Sequence, residues 1–259
     1  MTTRFVPPRR SIYDDRGQVY FGDTSYATYN YLRGGASDRV KRRHFEAALA
    51  HVEHTPKSST VIDMGCADGV FLPSLDERFD RVIGLDIRSE FVAAAQDVIA
   101  GMNLQHTTVH CSADLDWSEV QRIVGEPRAD VVFLLETLEH IGTPERFYES
   151  KIDFLLQVRS LMRPGGELVI SVPNMVGAAL LAQQLVLRAT RRYVERMTIS
   201  ELARGVLRRD VASFEPRWTN DDHLGFNHRR LEPLLSRVGK VTVRKNLGFS
   251  LFYVIEVPK

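Results

Sequence analysis

The chain reads as an α/β protein: a doubly wound, Rossmann-like, mostly parallel seven-stranded sheet with a helical insertion and a C-terminal antiparallel hairpin. Three observations predict this. Short β-branched or apolar runs alternate with helical stretches between residues 60 and 173. The run Ala129–Leu135 is almost continuously apolar, as a strand buried on both faces is. After Asn174 the alternation breaks into helical sequence and returns only near the end, as two strand-like runs.

Residues 1–55 are read as an N-terminal helical cap segment. Tyr13, Tyr20, Phe21, Tyr26, Tyr29 and Tyr31 crowd residues 1–37; such rings either pack in a core or wall a ligand. Val40, His44, Ala47, Ala48 and Val52 recur at helical spacing within Arg39–Glu53, and Pro56 ends that helix. Residues 56–174 form the sheet core. Thr60–Met64 is a strand ending at Gly65, Phe71–Leu75 opens a helix, and Arg81–Leu85 is a second strand ended by Asp86. Glu90–Ala100 is helical up to Gly101, Gln105–His110 is a third strand, and Ala129–Leu135 is the fourth. Glu145–Met162 is a long helix stopped by Pro164-Gly165-Gly166, and Glu167–Val172 is the fifth strand. Residues 175–215 are read as a helical lid insertion, and residues 216–259 complete the sheet. There a helix over Leu231–Val238 precedes strands Val241–Lys245 and Ser250–Val257, joined through Asn246-Leu247-Gly248.

Composition narrows the function classes. The 259 residues are 44% hydrophobic and 26% charged, with a net charge of +1. That balance removes any bulk electrostatic case for a nucleic-acid partner. The most apolar stretch, Met175–Leu187, is interrupted by Gln183 and Gln184 and is too short to span a bilayer. No secretory h-region follows Met1, and the two cysteines, Cys66 and Cys111, read as free thiols in a reducing compartment, so a cytoplasmic protein is expected.

The strongest local signal is Val61-Ile62-Asp63-Met64-Gly65-Cys66-Ala67-Asp68-Gly69, a strand entering a glycine-rich turn. Ligands of open α/β sheets sit at the carboxyl ends of the strands. A dinucleotide site wants G-x-G-x-x-G, but this turn reads G-x-A-x-G. Asp63 would repel a pyrophosphate; it suits a ligand bearing an ammonium and a sulfonium, which is S-adenosylmethionine. Asp86, closing the second strand with Ile87 beside it, is placed for the ribose hydroxyls. Asp114, with Ala113 and Leu115, is placed for the adenine.

On these residues the run from about 59 to 172 resembles the class I S-adenosylmethionine-dependent methyltransferases. Asp63, Gly65, Ala67 and Gly69 match that family's first motif, with Ala67 replacing its usual central glycine; Cys66 lies between. Asp86 matches the ribose ligand, and Ala113-Asp114 the adenine-side motif. Leu135-Glu136-Thr137-Leu138-Glu139-His140 matches the segment after strand four, and Arg163-Pro164-Gly165-Gly166 the turn before strand five. The resemblance implies that Leu135 and Glu136 border the cofactor. It points, most loosely, to bacterial small-molecule and sugar O-methyltransferases.

An oxygen nucleophile on a sugar is a poor acid and benefits from a base or a metal. His140 is the first candidate base, with Glu139 to orient it; the alternative is a structural histidine capping the loop before Pro144. The segment Thr219–His228 supplies the second cluster. His223 and Phe226 match a His-x-x-Phe segment that lines the substrate pocket in similar O-methyltransferases. Asp221, Asp222 and His223 are donors that could hold Mg²⁺; the competing reading, a solvated loop with a helix N-cap, is favoured over a metal. Arg188, Arg191, Arg192, Arg196, Arg204, Arg208 and Arg209 make the insertion basic. A substrate lid or homodimer-forming cap is preferred there to a membrane-surface helix, and that to a nucleic-acid contact. The expected activity is methyl transfer to a hydroxyl of a sugar or glycan fragment, with a natural product, quinone or lipid as the alternative acceptor and a non-catalytic cofactor-binding scaffold as the third.

Overall fold

The structure is a computed structural model, described here for residues 4–14, 25–113, 116–189, 197–220, 223 and 225–259. Seven strands form one sheet: β1 Thr60–Met64, β2 Arg81–Asp86, β3 Thr107–Cys111, β4 Ala129–Leu135, β5 Met162–Pro173, β6 Lys240–Asn246 and β7 Ser250–Glu256. Their order is β3-β2-β1-β4-β5-β7-β6. β1 pairs in parallel with β2 and β4, β2 in parallel with β3, and β6 antiparallel with β7.

Burial explains why these strands were legible. Every residue of β1 is buried, and in β4 all but Asp130 are, so Val, Ile and Phe fill both faces. β3, at one end of the strand order, alternates more, and β6, at the other, exposes most of its residues. Two expectations are corrected. β5 starts at Met162, so Arg163-Pro164-Gly165-Gly166 lies within the strand: Gly165 N–H donates to the Val257 carbonyl and Val257 N–H to that of Gly166. A helix over Trp117–Val124 was not anticipated; Asp116 caps it, accepting from the backbone of Ser118 and Glu119.

The chain divides into two compact units. The first comprises residues 1–135, 158–169 and 257–259; the second comprises residues 136–157 and 170–256. In the first, a ladder of rings runs from Phe5 through Phe45 and Phe71 to Phe133, with successive centroids 5.0, 4.8 and 5.5 Å apart. Fully burying each such ring contributes roughly 1.5–3 kcal/mol. The helix predicted over Arg39–Glu53 is present in three pieces: Ala36–Lys41, Arg43–His51 and a 3₁₀ turn, Val52–His54.

In the second unit the insertion is helical, as predicted. Gly177–Ala189 and Ile199–Ala203 are α-helical, and Arg204–Arg208 forms a wider π turn closed by Arg209 in the left-handed region. Met175, Val176, Leu180, Val211 and Phe214 form its core, with Met197 and Leu202 packed against it. Gly205 packs closely there: a Cβ would come within 2.6 Å of Leu180 Cδ2 and displace that side chain. Arg191, Arg192 and Arg196 lie outside the described residues. No helix among the described residues is long and apolar enough to cross a membrane.

Candidate active site

In the first unit, pairing sets Asp63 of β1 beside Gly84 of β2 and Phe133 of β4. The turn after β1 is anchored by Gly65 and Cys66, whose N–H groups both donate to the Leu85 carbonyl. Gly65, Ala67 and Gly69 all have positive φ, of 81°, 46° and 81°. At Gly69 a Cβ would also meet Ala95 Cα at 3.1 Å. Asp86 braces the turn: one carboxylate oxygen accepts from Ala67 N–H and the other from Arg88 N–H, each at 2.9 Å.

This turn gathers the carboxylates Asp63, Asp68 and Asp86. Burial, and then the charge of Asp86, pushes Asp63 up to about 7. Burial pushes Asp68 up to about 7 as well, although Ala27 N–H donates to it at 2.7 Å. Asp86 is raised by burial. Buried carboxylates crowded this way call for a cation, which fits the ammonium and sulfonium of S-adenosylmethionine and not a pyrophosphate. The turn's positive-φ backbone admits a ligand close to the chain.

The remaining expected cofactor residues are placed as follows. Ile87 presents an exposed apolar side chain next to Asp86. Cys66 is buried, and its sulfur faces Gly84 in the core. Ala113 is exposed, Leu135 is buried at the end of β4, and Asp114 and Leu115 lie outside the described residues. Asp68 was missed as a site residue, although its place between Ala67 and Gly69 was a signal. Besides holding Ala27, its carbonyl accepts from the Tyr13 hydroxyl at 3.0 Å, so two N-terminal residues are tied to the glycine turn.

The second unit carries the candidate catalytic groups. Glu136, at φ 54°, is held by Ser171, whose hydroxyl donates to its carboxylate at 2.8 Å. The following 3₁₀ turn, Leu138–His140, buries Glu139 completely. Among the described residues no hydrogen-bond donor reaches either carboxylate oxygen of Glu139. Burial, then the charge of Glu136, raises this carboxyl well above its ordinary range. Nε2 of His140 lies 3.8 Å and Nε2 of His223 3.7 Å from the same oxygen of Glu139, and the two rings lie 5.0 Å apart. The structure therefore brings together all three expected catalytic residues. Of the expected Mg²⁺ donors, Asp221 and Asp222 lie outside the described residues, whereas His223 stands with Glu139 and His140.

Two supports were not foreseen. Lys151 is fully buried and donates to the carbonyls of Glu139 and Ile141, at 3.2 and 2.6 Å, with its ammonium 4.0 Å from the Phe147 ring centroid. Tyr148 donates to the Gly225 carbonyl at 3.3 Å and accepts from Asn227 N–H at 3.1 Å, fixing the backbone just after His223. A lysine and a tyrosine inside an amphipathic helix give no sign in the sequence of which backbone they hold.

A family model described as a methyltransferase domain matches residues 34–210. A ubiquinone biosynthesis O-methyltransferase of Cupriavidus pinatubonensis is 28% identical over 156 residues, 56% of this chain and 56% of that protein. Another protein of that name, from Psychrobacter cryohalolentis, is 26% identical over 204 residues, covering 75% of this chain and 72% of the relative. The chain thus spans little more than half the length of the first of these relatives. Among solved structures, the N-methyltransferase NodS of Bradyrhizobium japonicum superposes with a TM-score of 0.52 at 14% identity, over 86% of this chain and 98% of that one. An O-methyltransferase family protein of Burkholderia thailandensis gives 0.52 at 14% identity, over 91% and 77%. At such identities the two structures speak for the fold. With the family match, the strand order and the acidic glycine turn in hand, the chain belongs to the methyltransferase domain family, as a class I S-adenosylmethionine-dependent member.

Proposed function

We propose that the protein transfers a methyl group from S-adenosylmethionine to a hydroxyl of a small natural-product or quinone-type acceptor. The observation that carries this is the buried Glu139 carboxylate with His140 and His223 gathered at one of its oxygens. Such a cluster serves an acceptor that must lose a proton as it reacts. The sugar hydroxyl expected from the sequence becomes the second choice. The relatives act, by name, in ubiquinone biosynthesis, and a phenolic hydroxyl is a stronger acid that asks less of its base. The two free thiols accord with a cytoplasmic setting.

When bound, S-adenosylmethionine supplies an electrophilic methyl on a sulfonium whose sulfur leaves as a thioether. Asp63 would hold its ammonium end, Asp86 the ribose hydroxyls and Ile87 and Ala113 the adenine, with the positive-φ turn at Gly65, Ala67 and Gly69 allowing close approach. With no ion on the cluster, His140 would take the proton of an acceptor hydroxyl at Nε2. Glu139 stabilises the resulting imidazolium.

The test is methyl transfer from labelled S-adenosylmethionine across catechols, hydroquinones and mono- and oligosaccharides. Transfer to the aromatic hydroxyls is expected. Transfer to sugars alone would restore the sugar reading, and uptake only by amines or carbon acids would end both.

A further inference from the structure

We propose that Glu139, His140 and His223 hold a divalent transition-metal ion, with its remaining positions open to the acceptor's oxygens. The ion's role toward the acceptor rests on the methyl-transfer reading; its binding does not.

Four observations converge. The first is spacing: the two Nε2 atoms stand 3.8 and 3.7 Å from one Glu139 oxygen, and the donor atoms of the three residues all lie within 4.8 Å of one another. Those separations are too long for hydrogen bonds. The two histidine–Glu139 separations suit ligands of one ion, since two donors each about 2.0–2.2 Å from a shared centre lie roughly 3.3–4.3 Å apart as the angle between them opens. The second is the carboxylate itself. Glu139 has no exposed surface, and among the described residues neither oxygen has a hydrogen-bond partner. Such a group is costly to bury unpaired, and the neighbouring Lys151 ammonium, although its charge favours the ionised form, donates to the carbonyls of Glu139 and Ile141 and to neither carboxylate oxygen.

The third is the tautomer of His140. Its Nδ1 lies 2.7 Å from the Asn220 carbonyl oxygen. A carbonyl only accepts, so Nδ1 carries the hydrogen and the Nε2 lone pair is left on the side of Glu139. Metal-ligating histidines are oriented in this way, by donating the other ring N–H to a carbonyl or carboxylate. The fourth is exposure. The side chains of His140 and His223 keep 31% and 30% of their surface open, which leaves room for further ligands. Two imidazoles and one carboxylate favour zinc, manganese, iron or nickel over magnesium, which prefers oxygen donors and keeps its waters.

With the ion bound, the imidazoles are ligands and not bases. An acceptor hydroxyl on the ion is acidified and gives its proton to solvent water. The oxygen–methyl bond forms and the sulfur–methyl bond breaks as before, with that electron pair passing to sulfur.

The experiment uses the full chain stripped with a chelator and then titrated with Zn²⁺ by calorimetry and with Co²⁺ by visible absorption. One equivalent should bind. Glu139→Gln and His223→Gln should each weaken binding by at least about 100-fold, with S-adenosylmethionine binding kept as the sign that the fold is intact. Failure of the unsubstituted chain to bind either ion would overturn the site. So would variants that bind as well as the parent, or a chain that takes Mg²⁺ and refuses both probes. A chain that loads zinc yet methylates no hydroxyl leaves the site standing and sinks the acceptor reading. One that takes up no ion and methylates at full rate after stripping does the reverse.

Discussion

The Nδ1 nitrogen of His140 is hydrogen-bonded at 2.7 Å to the main-chain carbonyl of Asn220, 80 residues along the chain. Main-chain anchoring fixes the ring's tautomer without depending on a second side chain. His140→Ala should therefore lower kcat by about 10²–10⁴-fold and leave S-adenosylmethionine affinity unchanged, whether the ring serves as base or as metal ligand. Asn220→Ala keeps the carbonyl and should keep activity near that of the parent. Steady-state kinetics of the two variants beside cofactor titrations check this; equal losses in both would break the link to the carbonyl.

Much of this site was legible because its chemistry is local. Asp63, Gly65, Ala67 and Gly69 fall within seven residues and Asp86 ends the next strand, so local spacing, read with the family resemblance, picks them out together. The central strands were legible because burial on both faces leaves an uninterrupted apolar run. The start of β5 was not, since Pro164-Gly165-Gly166 has the composition of a turn and becomes strand only through its pairing with Val257. The helix Trp117–Val124 buries only Val120 and Val124, which is too few for periodicity to show; its capping Asp116 was the one cue. That His223 shares a carboxylate with His140 is a tertiary fact, with no counterpart in local pattern.

The acidic turn makes cofactor binding and stability respond to pH in opposite directions. Asp63 and Asp68 both titrate near 7 in the folded chain, above their ordinary value of 3.8, so the folded state holds protons that the unfolded state has lost. Stability of the cofactor-free protein should then fall as pH rises from about 4 to about 7 and level off above. With its ammonium on the ionised Asp63, as proposed above, S-adenosylmethionine should bind more tightly as pH rises through 7, by up to about tenfold per pH unit below it. Thermal melts with and without cofactor from pH 5 to 9 read both trends; a flat cofactor response would remove Asp63 from the ammonium.

Gly84 lies in β2, in register with Asp63 of β1 and Val109 of β3. A Cβ at this position would come within 2.8 Å of Val109 Cγ1, 3.1 Å of Cys66 Sγ and 3.3 Å of Leu72 Cδ2. Gly84→Ala should therefore destabilise by about 1–3 kcal/mol through overpacking. Because Cys66 belongs to the glycine turn, it should also weaken S-adenosylmethionine binding. Urea unfolding with a parallel cofactor titration measures both; a loss of stability with unchanged affinity would show that the strain is absorbed in the core before it reaches the turn.

Lys151 is the structural counterpart of the chemistry at Glu139. Its amine has no exposed surface and donates to the carbonyls on either side of His140, those of Glu139 and Ile141, while lying over the rings of Phe147 and Trp218. Lys151→Met keeps the stem's packing and removes both hydrogen bonds. Each orphaned carbonyl costs about 1–3 kcal/mol, so the variant should lose a few kcal/mol in urea unfolding. The 3₁₀ turn would no longer be held to the helix beneath it, and His140 would drift from Glu139. The kinetic signature is a fall in kcat larger than any change in the KM for S-adenosylmethionine, since Lys151 holds the backbone on either side of His140. Lys151→Arg retains a donor but adds bulk in a filled pocket, and should recover less than half of the lost stability. Full activity in Lys151→Met would show that the backbone of the turn keeps its shape without the amine.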